Sequence, residues 1–243
     1  MIKPKLETDA LLNKLFPSME SGKNLLTDLQ IMDIIRKARR VPDRHEGLLV
    51  EGLAKLINGQ FDEGVELCER SIQLNTHDHV AWLNFGVTLS SLGHHSMQND
   101  LLWRAMSYGL VEAYLKALSV SAFWVDVKMF EHAYEFLDRA GLINTSLTEK
   151  QKYEVEFMHE LGSRLDFIAP FATIAMEIAE SERLVVTNSH VSGDAEHGYC
   201  YALHIDESDP DKLLMVNDMA LHKILSKGLH ALDCVTVFVS ESH

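Results

Sequence analysis

The chain has 243 residues, of which 47% are hydrophobic and 24% charged, so it is long enough to bury a core and too apolar to be wholly disordered. Its 36 acidic and 22 basic residues give a formal charge of −14, which argues against binding to duplex nucleic acid or to an anionic membrane, because both require a basic surface. It has three cysteines without paired spacing, and neither a signal-peptide core nor a membrane-spanning run, so we expect a soluble cytoplasmic protein.

The first predicted elements are two helices. Residues 7–16 are predicted to form a short helix that Pro17 stops, and a turn containing Gly22 follows. Apolar residues recur at helical spacing over residues 24–40, which predicts a second helix ending before Pro42. The last turn of this helix is basic, which suits the negative end of a helix dipole.

Two pairs of glycines then indicate an internal repeat. Gly52 and Gly86 are 34 residues apart, and so are Gly59 and Gly93. A repeat of this length is typical of stacked helical hairpins, which build extended surfaces that hold other molecules. We expect Gly59 and Gly93 to adopt positive φ where one helix ends and the next begins. We expect Gly52, Gly86 and Gly64 to allow two helices to approach closely.

The copies at residues 45–78 and 79–112, with a poorer third copy from about residue 114, resemble the tetratricopeptide repeat family. The matching positions of the second copy are Trp82, Phe85, Gly86, Leu89, Gly93 and Ala105. The usual closing proline is absent, and Gln98 stands where a small residue is expected. The resemblance covers residues 45–147 and implies about three stacked hairpins.

The remainder of the chain is predicted to change from helices to a mixed module. Thr148 and Gln151 form a possible capping box for a helix reaching about residue 166, and Pro170 is expected in the first turn of another helix. These helices are expected to cover the last repeat. Strands are predicted at 183–191, 198–206 and 235–240, with a turn around 192–198 and a helix at 211–228.

The predicted fold class is therefore mostly α, an α-α superhelix of helical hairpins followed by a small C-terminal α/β module of order strand–strand–helix–strand. The expected segments are an N-terminal helical segment, the repeats, capping helices and the α/β module, at residues 1–44, 45–147, 148–182 and 183–243.

The sequence contains no catalytic motif, so we do not expect an enzyme. Neither a G-x-x-x-x-G-K nor a G-x-G-x-x-G loop is present, and the histidines are better explained as turn and surface residues than as metal ligands. We therefore predict no cofactor and no metal. The alternative is an enzyme whose site lies in the C-terminal module, with the repeats as a docking arm. The polar residues that motivate it are Asn188, Ser189, His190, Asp194 and His197.

The resemblance implies a partner-binding groove lined by the first helix of each repeat. The residues that it places there are Leu49, Leu53, Asn84, Val87, Ser91 and Ala122. Asn84 stands where relatives often hold an asparagine that bonds a peptide backbone, and leucines stand where some relatives hold a basic clamp. An adaptor or chaperone-like protein that binds an apolar or helical polypeptide segment is therefore expected. Two alternatives stay open: the N-terminal helices of the same chain fill the groove, or exposed strand edges drive homo-oligomerisation.

Overall fold

The computed structural model describes residues 4–194, 196, 198–229 and 233–241. It is mostly helical with a three-stranded sheet near the C-terminus, as the sequence predicts. The chain divides into two compact units, residues 1–113 and 114–243. Among the helices of the described ranges, none is long and apolar enough to cross a bilayer.

Over the described residues 4–113, the first unit contains helices and no strand. They are α1 (Pro4–Ser21), α2 (Asp28–Ala38), α3 (Arg44–Ile57), α4 (Phe61–Leu74), α5 (His79–Ser91) and α6 (His95–Ser107). The prediction that Pro17 stops the first helix is wrong, because α1 runs through it. Leu15 and Met19, on either side of Pro17, are buried. Their burial offsets the one backbone hydrogen bond that proline removes.

The second helix starts later than predicted because of a capping box. The Gln30 N–H donates to Thr27 Oγ1 at 3.3 Å, and the Thr27 N–H donates to Gln30 Oε1 at 2.8 Å. This pair fixes Thr27 as the N-cap and leaves residues 24–26 outside the helix. Ile31 and Ile34 face inward and are buried, whereas Leu29 points outward.

The hairpins α3–α4 and α5–α6 confirm the turns predicted at Gly59 and Gly93, whose φ angles are +78° and +80°. Close approach is confirmed at Gly52, where an added Cβ would lie 2.7 Å from Cys68 Sγ and 2.9 Å from the Gly64 carbonyl oxygen. The predicted close approach is wrong at Gly86, where the atom nearest to an added Cβ would be 3.5 Å away. In the second hairpin Gln98 stands at the position of Gly64, and its larger side chain lies between the two helices.

The boundary between the units falls within α7 (Val111–Trp124). The second unit continues with α8 (Val127–Arg139), α9 (Glu149–Leu161), α10 (Leu165–Ser181), β1 (Val186–Asp194), β2 (Gly198–Ile205), α11 (Pro210–Ser226) and β3 (Cys234–Ser240). The rings of Tyr114 on α7 and Phe136 on α8 stack at 3.7 Å. From α9, Gln151 Nε2 donates to the Leu115 carbonyl at 2.8 Å, and His159 meets Phe130 edge-on. Helix α9 therefore packs against both α7 and α8.

Two predicted helix boundaries in this unit are wrong. The helix opened by Thr148 ends at Leu161 rather than near residue 166, because the chain turns at Gly162, whose φ is +49°, into the 3-10 turn Gly162–Arg164. Pro170 lies inside α10 rather than in its first turn. The carbonyl that it leaves without a helical partner belongs to Asp166, which is exposed, so water can satisfy it.

The strands form one sheet in the order β1-β2-β3. Strands β1 and β2 are antiparallel, whereas β2 and β3 are parallel and joined through α11. One face packs on α10 and α11 and carries the paired residues Leu203 and Phe238, both buried. The first strand was predicted too early: β1 continues through Asp194 because residues 192–194 pair with β2, so the hairpin turn lies between Asp194 and Gly198.

A side chain occupies part of the outer edge of β3. Asn217 Oδ1 accepts from the Phe238 N–H at 2.9 Å, and Asn217 Nδ2 donates to the Phe238 carbonyl at 3.0 Å. The same nitrogen lies 2.9 Å from the Leu213 carbonyl. The amide of Asn217 therefore takes the place that a neighbouring strand would have at Phe238.

Candidate functional site

The predicted groove of the first unit is formed by one face of α3 and the adjacent α5. Glu46, Leu49 and Leu53 are three and four residues apart on α3, so they share a face. Leu49 and Leu53 are almost fully buried. Their burial means that something already packs on the face that was predicted to receive a partner.

The element that covers this face is α1. It contacts both α3 and α5, and Thr8 Oγ1 on α1 donates to Glu46 Oε2 at 2.7 Å. Leu11, Leu15 and Met19 recur every four residues along α1 and are buried. The chain's own N-terminal helix therefore lies on the predicted groove, which is the first alternative that the sequence left open.

The residues predicted on α5 are half-buried. The amide of Asn84 donates to the Val80 carbonyl of its own helix at 2.9 Å. The turn after α1 packs closely against the backbone of Ser91, because a Cβ added to Gly22 would lie 2.0 Å from the Ser91 carbonyl oxygen. Asn84, Val87 and Ser91 retain partial exposure. Ala122, the sixth predicted residue, is buried on α7 and belongs to the second unit.

A cavity of about 300 Å³ lies beside α1 in the first unit. Its lining consists of Thr8, Asp9, Leu12, His45, Glu46, Leu49, Asn75, His77, Asp78, His79 and Val80. The imidazole of His45 contacts two carboxylates in this lining and next to it. Its Nδ1 lies 2.5 Å from an oxygen of Asp43, and its Nε2 lies 3.2 Å from an oxygen of Asp78. Asp43 and Asp78 are the N-caps of α3 and α5, so this imidazole joins the starts of two hairpins.

Sequence reasoning missed His45, although an N-cap aspartate before each predicted first helix was a usable signal. Asp43, His45 and Glu46 offer ligand atoms within 4.8 Å of one another and could in principle hold a cation. Asp43 accepts from the His45 backbone, however, and Glu46 accepts from Thr8. These capping and packing roles account for the cluster, and we assign no metal to it.

A smaller cavity of about 170 Å³ lies in the second unit. Its lining consists of Ala122, Phe123, Lys150, Tyr153, Glu154, Phe157, Asn188, Ser189, His190 and Val191. The Ser189 hydroxyl donates to the Phe123 carbonyl at 2.8 Å, and the Tyr201 hydroxyl donates to the same oxygen at 2.7 Å. Phe123 is in the last turn of α7, so both hydroxyls satisfy a carbonyl that the helix leaves unbonded.

The proposed catalytic cluster is only partly assembled. Asn188, Ser189 and His190 line the cavity, Asp194 lies at the far end of β1, and His197 is outside the described residues. His190 Nδ1 lies 3.1 Å from Nε2 of His204. The Ser189 hydroxyl is directed to a carbonyl rather than to an imidazole, so the geometry does not activate it as a nucleophile.

Polar contacts also line the junction of α7 and α9. Ser119 Oγ donates to Glu154 Oε2 at 2.6 Å, and Lys150 Nζ lies 3.7 Å from the other oxygen of that carboxylate. Burial, reinforced by the nearby charge of Lys150, lowers the pKa of the Lys116 ammonium. Lys150 and Glu154 line the cavity, and their contacts form a structural network between the two helices.

No protein-family model matches the chain, and comparisons with curated proteins and with solved structures gave no significant match. The likeness to tetratricopeptide repeats therefore stays a prediction from the residues. The candidate functional site is the α1-covered face of α3 and α5.

Proposed function

We propose that this chain is a non-catalytic interaction protein of tetratricopeptide-repeat type, an adaptor or chaperone-like factor that binds an apolar helical polypeptide segment on the face of α3 and α5. The observation that supports it is the position of α1. This face holds the buried apolar side of a helix of the same chain, against Leu49 and Leu53. A partner helix with apolar residues at the same spacing would be held by the same contacts.

Helix α1 is suited to exchange with such a partner. Proline in a helix interior costs about 3 kcal/mol relative to alanine, so the segment around Pro17 is a poor helix by itself. It is helical here because Leu11, Leu15 and Met19 are buried. A partner without an internal proline has no such cost and competes favourably for the face.

The test is capture of a polypeptide from native extract on the immobilised full-length chain. We expect Asn84→Arg combined with Val87→Arg to abolish capture, because two cations would crowd the half-buried α5 side of the face. A matched control is Leu74→Arg, which alters an exposed leucine at the end of α4. An excess of a synthetic peptide of residues 4–21 should release the captured species.

Capture that survives the double substitution and the peptide would exclude this face as the binding site. Loss of capture by the Leu74 control would show that the assay responds to any surface charge and would also count against the proposal.

A further inference from the structure

Two helices, one in each unit, expose large apolar side chains. Basic residues flank those of one helix, and acidic residues flank those of the other. On α2 and the turn before it, Leu25, Leu29 and Met32 are 61%, 79% and 66% exposed. On α11, the exposed large apolar residues are Leu214, Met215, Leu221 and Leu225. Clusters of exposed apolar side chains on a helix commonly mark an interaction surface.

The α2 face is basic within a strongly acidic chain. Arg36 and Lys37 share the single carboxylate of Asp33, and Arg39 pairs with Glu51. Arg40 forms no ion pair with any residue that the structure describes. Arg36, Arg39 and Arg40 lie on the same exposed surface of α2 and its last turn as Leu29 and Met32. Four cations against two carboxylates leave this end of α2 positive.

The α11 face is acidic. Asp211 and Asp218 lie on the same exposed surface of α11 as Leu214 and Met215. Neither carboxylate forms an ion pair within the described ranges. Lys223 also borders this surface, but its charge is paired: Lys223 and Lys227 both contact Glu177 on α10, at 2.8 and 2.9 Å. The outer face therefore keeps its negative charge, beside the imidazole of His222.

The order of the residues fits antiparallel packing of the two helices. Leu29 and Arg36 are seven residues apart on α2, and Asp218 and Leu225 are seven residues apart on α11, with charge and leucine in the opposite order along the chain. Seven residues are about two helical turns, or roughly 10 Å. Antiparallel packing therefore sets Leu29 against Leu225 and Arg36 against Asp218 at the same time.

From this complementarity we infer that copies of the chain associate head to tail, with α2 of one copy packed antiparallel on α11 of the next. Pairing of two α2 faces would oppose arginines, and pairing of two α11 faces would oppose aspartates, so charge disfavours both symmetric alternatives. A head-to-tail contact uses two different surfaces and forms rings or open chains. This self-association is separate from the binding of a polypeptide segment on α3 and α5.

Sedimentation velocity of the full-length chain tests the inference. We expect the wild-type chain to form larger species as its concentration rises towards about 100 µM, and less so at high salt. Leu29→Glu and Leu221→Glu should each abolish association, because each sets a charge against the apolar part of the partner helix. Both side chains are exposed, so the fold should survive, and Leu74→Glu is the matched control.

The decisive measurement is a mixture of the two variants. The Leu29→Glu chain keeps its α11 surface and the Leu221→Glu chain keeps its α2 surface, so a 1:1 mixture should form dimers and nothing larger. Arg36→Glu alone and Asp218→Arg alone should each weaken association by about tenfold or more, and one chain carrying both changes should recover it.

A wild-type chain that stays monomeric at every concentration overturns the inference. So does a mixture of the two variants that remains monomeric, because the intact α11 surface of one chain would then fail to bind the intact α2 surface of the other. Association that either variant retains by itself also overturns the inference, because it would show pairing of like surfaces or association elsewhere. Failure of the charge exchange to restore association would exclude the antiparallel register.

Discussion

Replacement of glycine by alanine should change the free energy of unfolding in opposite directions at Gly52 and Gly86, which hold equivalent places in successive repeats. The difference arises from how closely the two helices of each hairpin pack. At Gly52 an added methyl group would meet Cys68 Sγ at 2.7 Å, the Gly64 carbonyl oxygen at 2.9 Å and the Cys68 nitrogen at 3.0 Å. Two of these atoms are backbone, so α4 itself must move. At Gly86 the nearest contact, to a Leu101 methyl at 3.5 Å, is ordinary van der Waals distance.

The expected magnitudes follow from two opposing effects. Alanine is favoured over glycine in a helix interior by about 1 kcal/mol, which should stabilise both variants. Overpacking a close contact costs about 1–3 kcal/mol. Gly52→Ala is therefore expected to lower the free energy of unfolding by up to about 2 kcal/mol, since the clash with backbone atoms exceeds the helix-propensity gain. Gly86→Ala is expected to raise it by up to about 1 kcal/mol, because only the gain applies.

Urea unfolding, followed by circular dichroism and tryptophan fluorescence, compares both variants with the wild-type chain. The shift in the urea midpoint, multiplied by a common m-value, gives the change in the free energy of unfolding. Gly52→Ala made in a Cys68→Ala background separates the sulfur contact from the backbone contacts, and the alanine at position 52 should still destabilise. A Gly52→Ala chain as stable as Gly86→Ala would refute the close-approach argument.

Two further predictions concern buried side chains. Leu15→Ala should speed hydrogen exchange of the α1 amides, because it removes a fully buried side chain whose loss costs about 2–5 kcal/mol. The control Phe16→Ala, at a half-exposed neighbour, should change the exchange rates little. Equal effects of the two substitutions would contradict the packing of α1. Burial raises the pKa of Cys234 to about 12, so the thiol stays protonated in the folded chain while the unfolded chain ionises near pH 8.5. Stability should therefore fall as pH rises from about 8.5 towards 12, by at most about 1.4 kcal/mol per pH unit from this group. Denaturant unfolding across that range should show a shallower loss in Cys234→Ala, and an unchanged slope would contradict the prediction.

The repeat pattern predicts the hairpins because glycine turns are local: positive φ at Gly59 and Gly93 needs only the chain around each residue. Helix ends were less predictable, since the burial of Met19 beyond Pro17 and the start of α2 at Thr27 depend on packing and on a capping box overlooked in an apolar run.

The groove was predictable as an apolar surface, but its cover by the N-terminal helices could be predicted only as one of several alternatives. The apolar character of Leu49 and Leu53 is the same whether a partner or α1 packs on them, so the choice lies in tertiary contacts. Ser189 shows the same limit in the second unit, because its hydroxyl looked available in the sequence and is used to satisfy the Phe123 carbonyl.

The amide of Asn217 obstructs addition of a strand beyond β3. A fourth strand, from a fibril, a swapped segment or a designed extension, would first have to break two hydrogen bonds at Phe238 and leave the asparagine to find others. A new strand that pairs with β3 at this position must therefore displace a side chain supplied by a helix, which makes extension of the sheet on this side less favourable than on the side of β1.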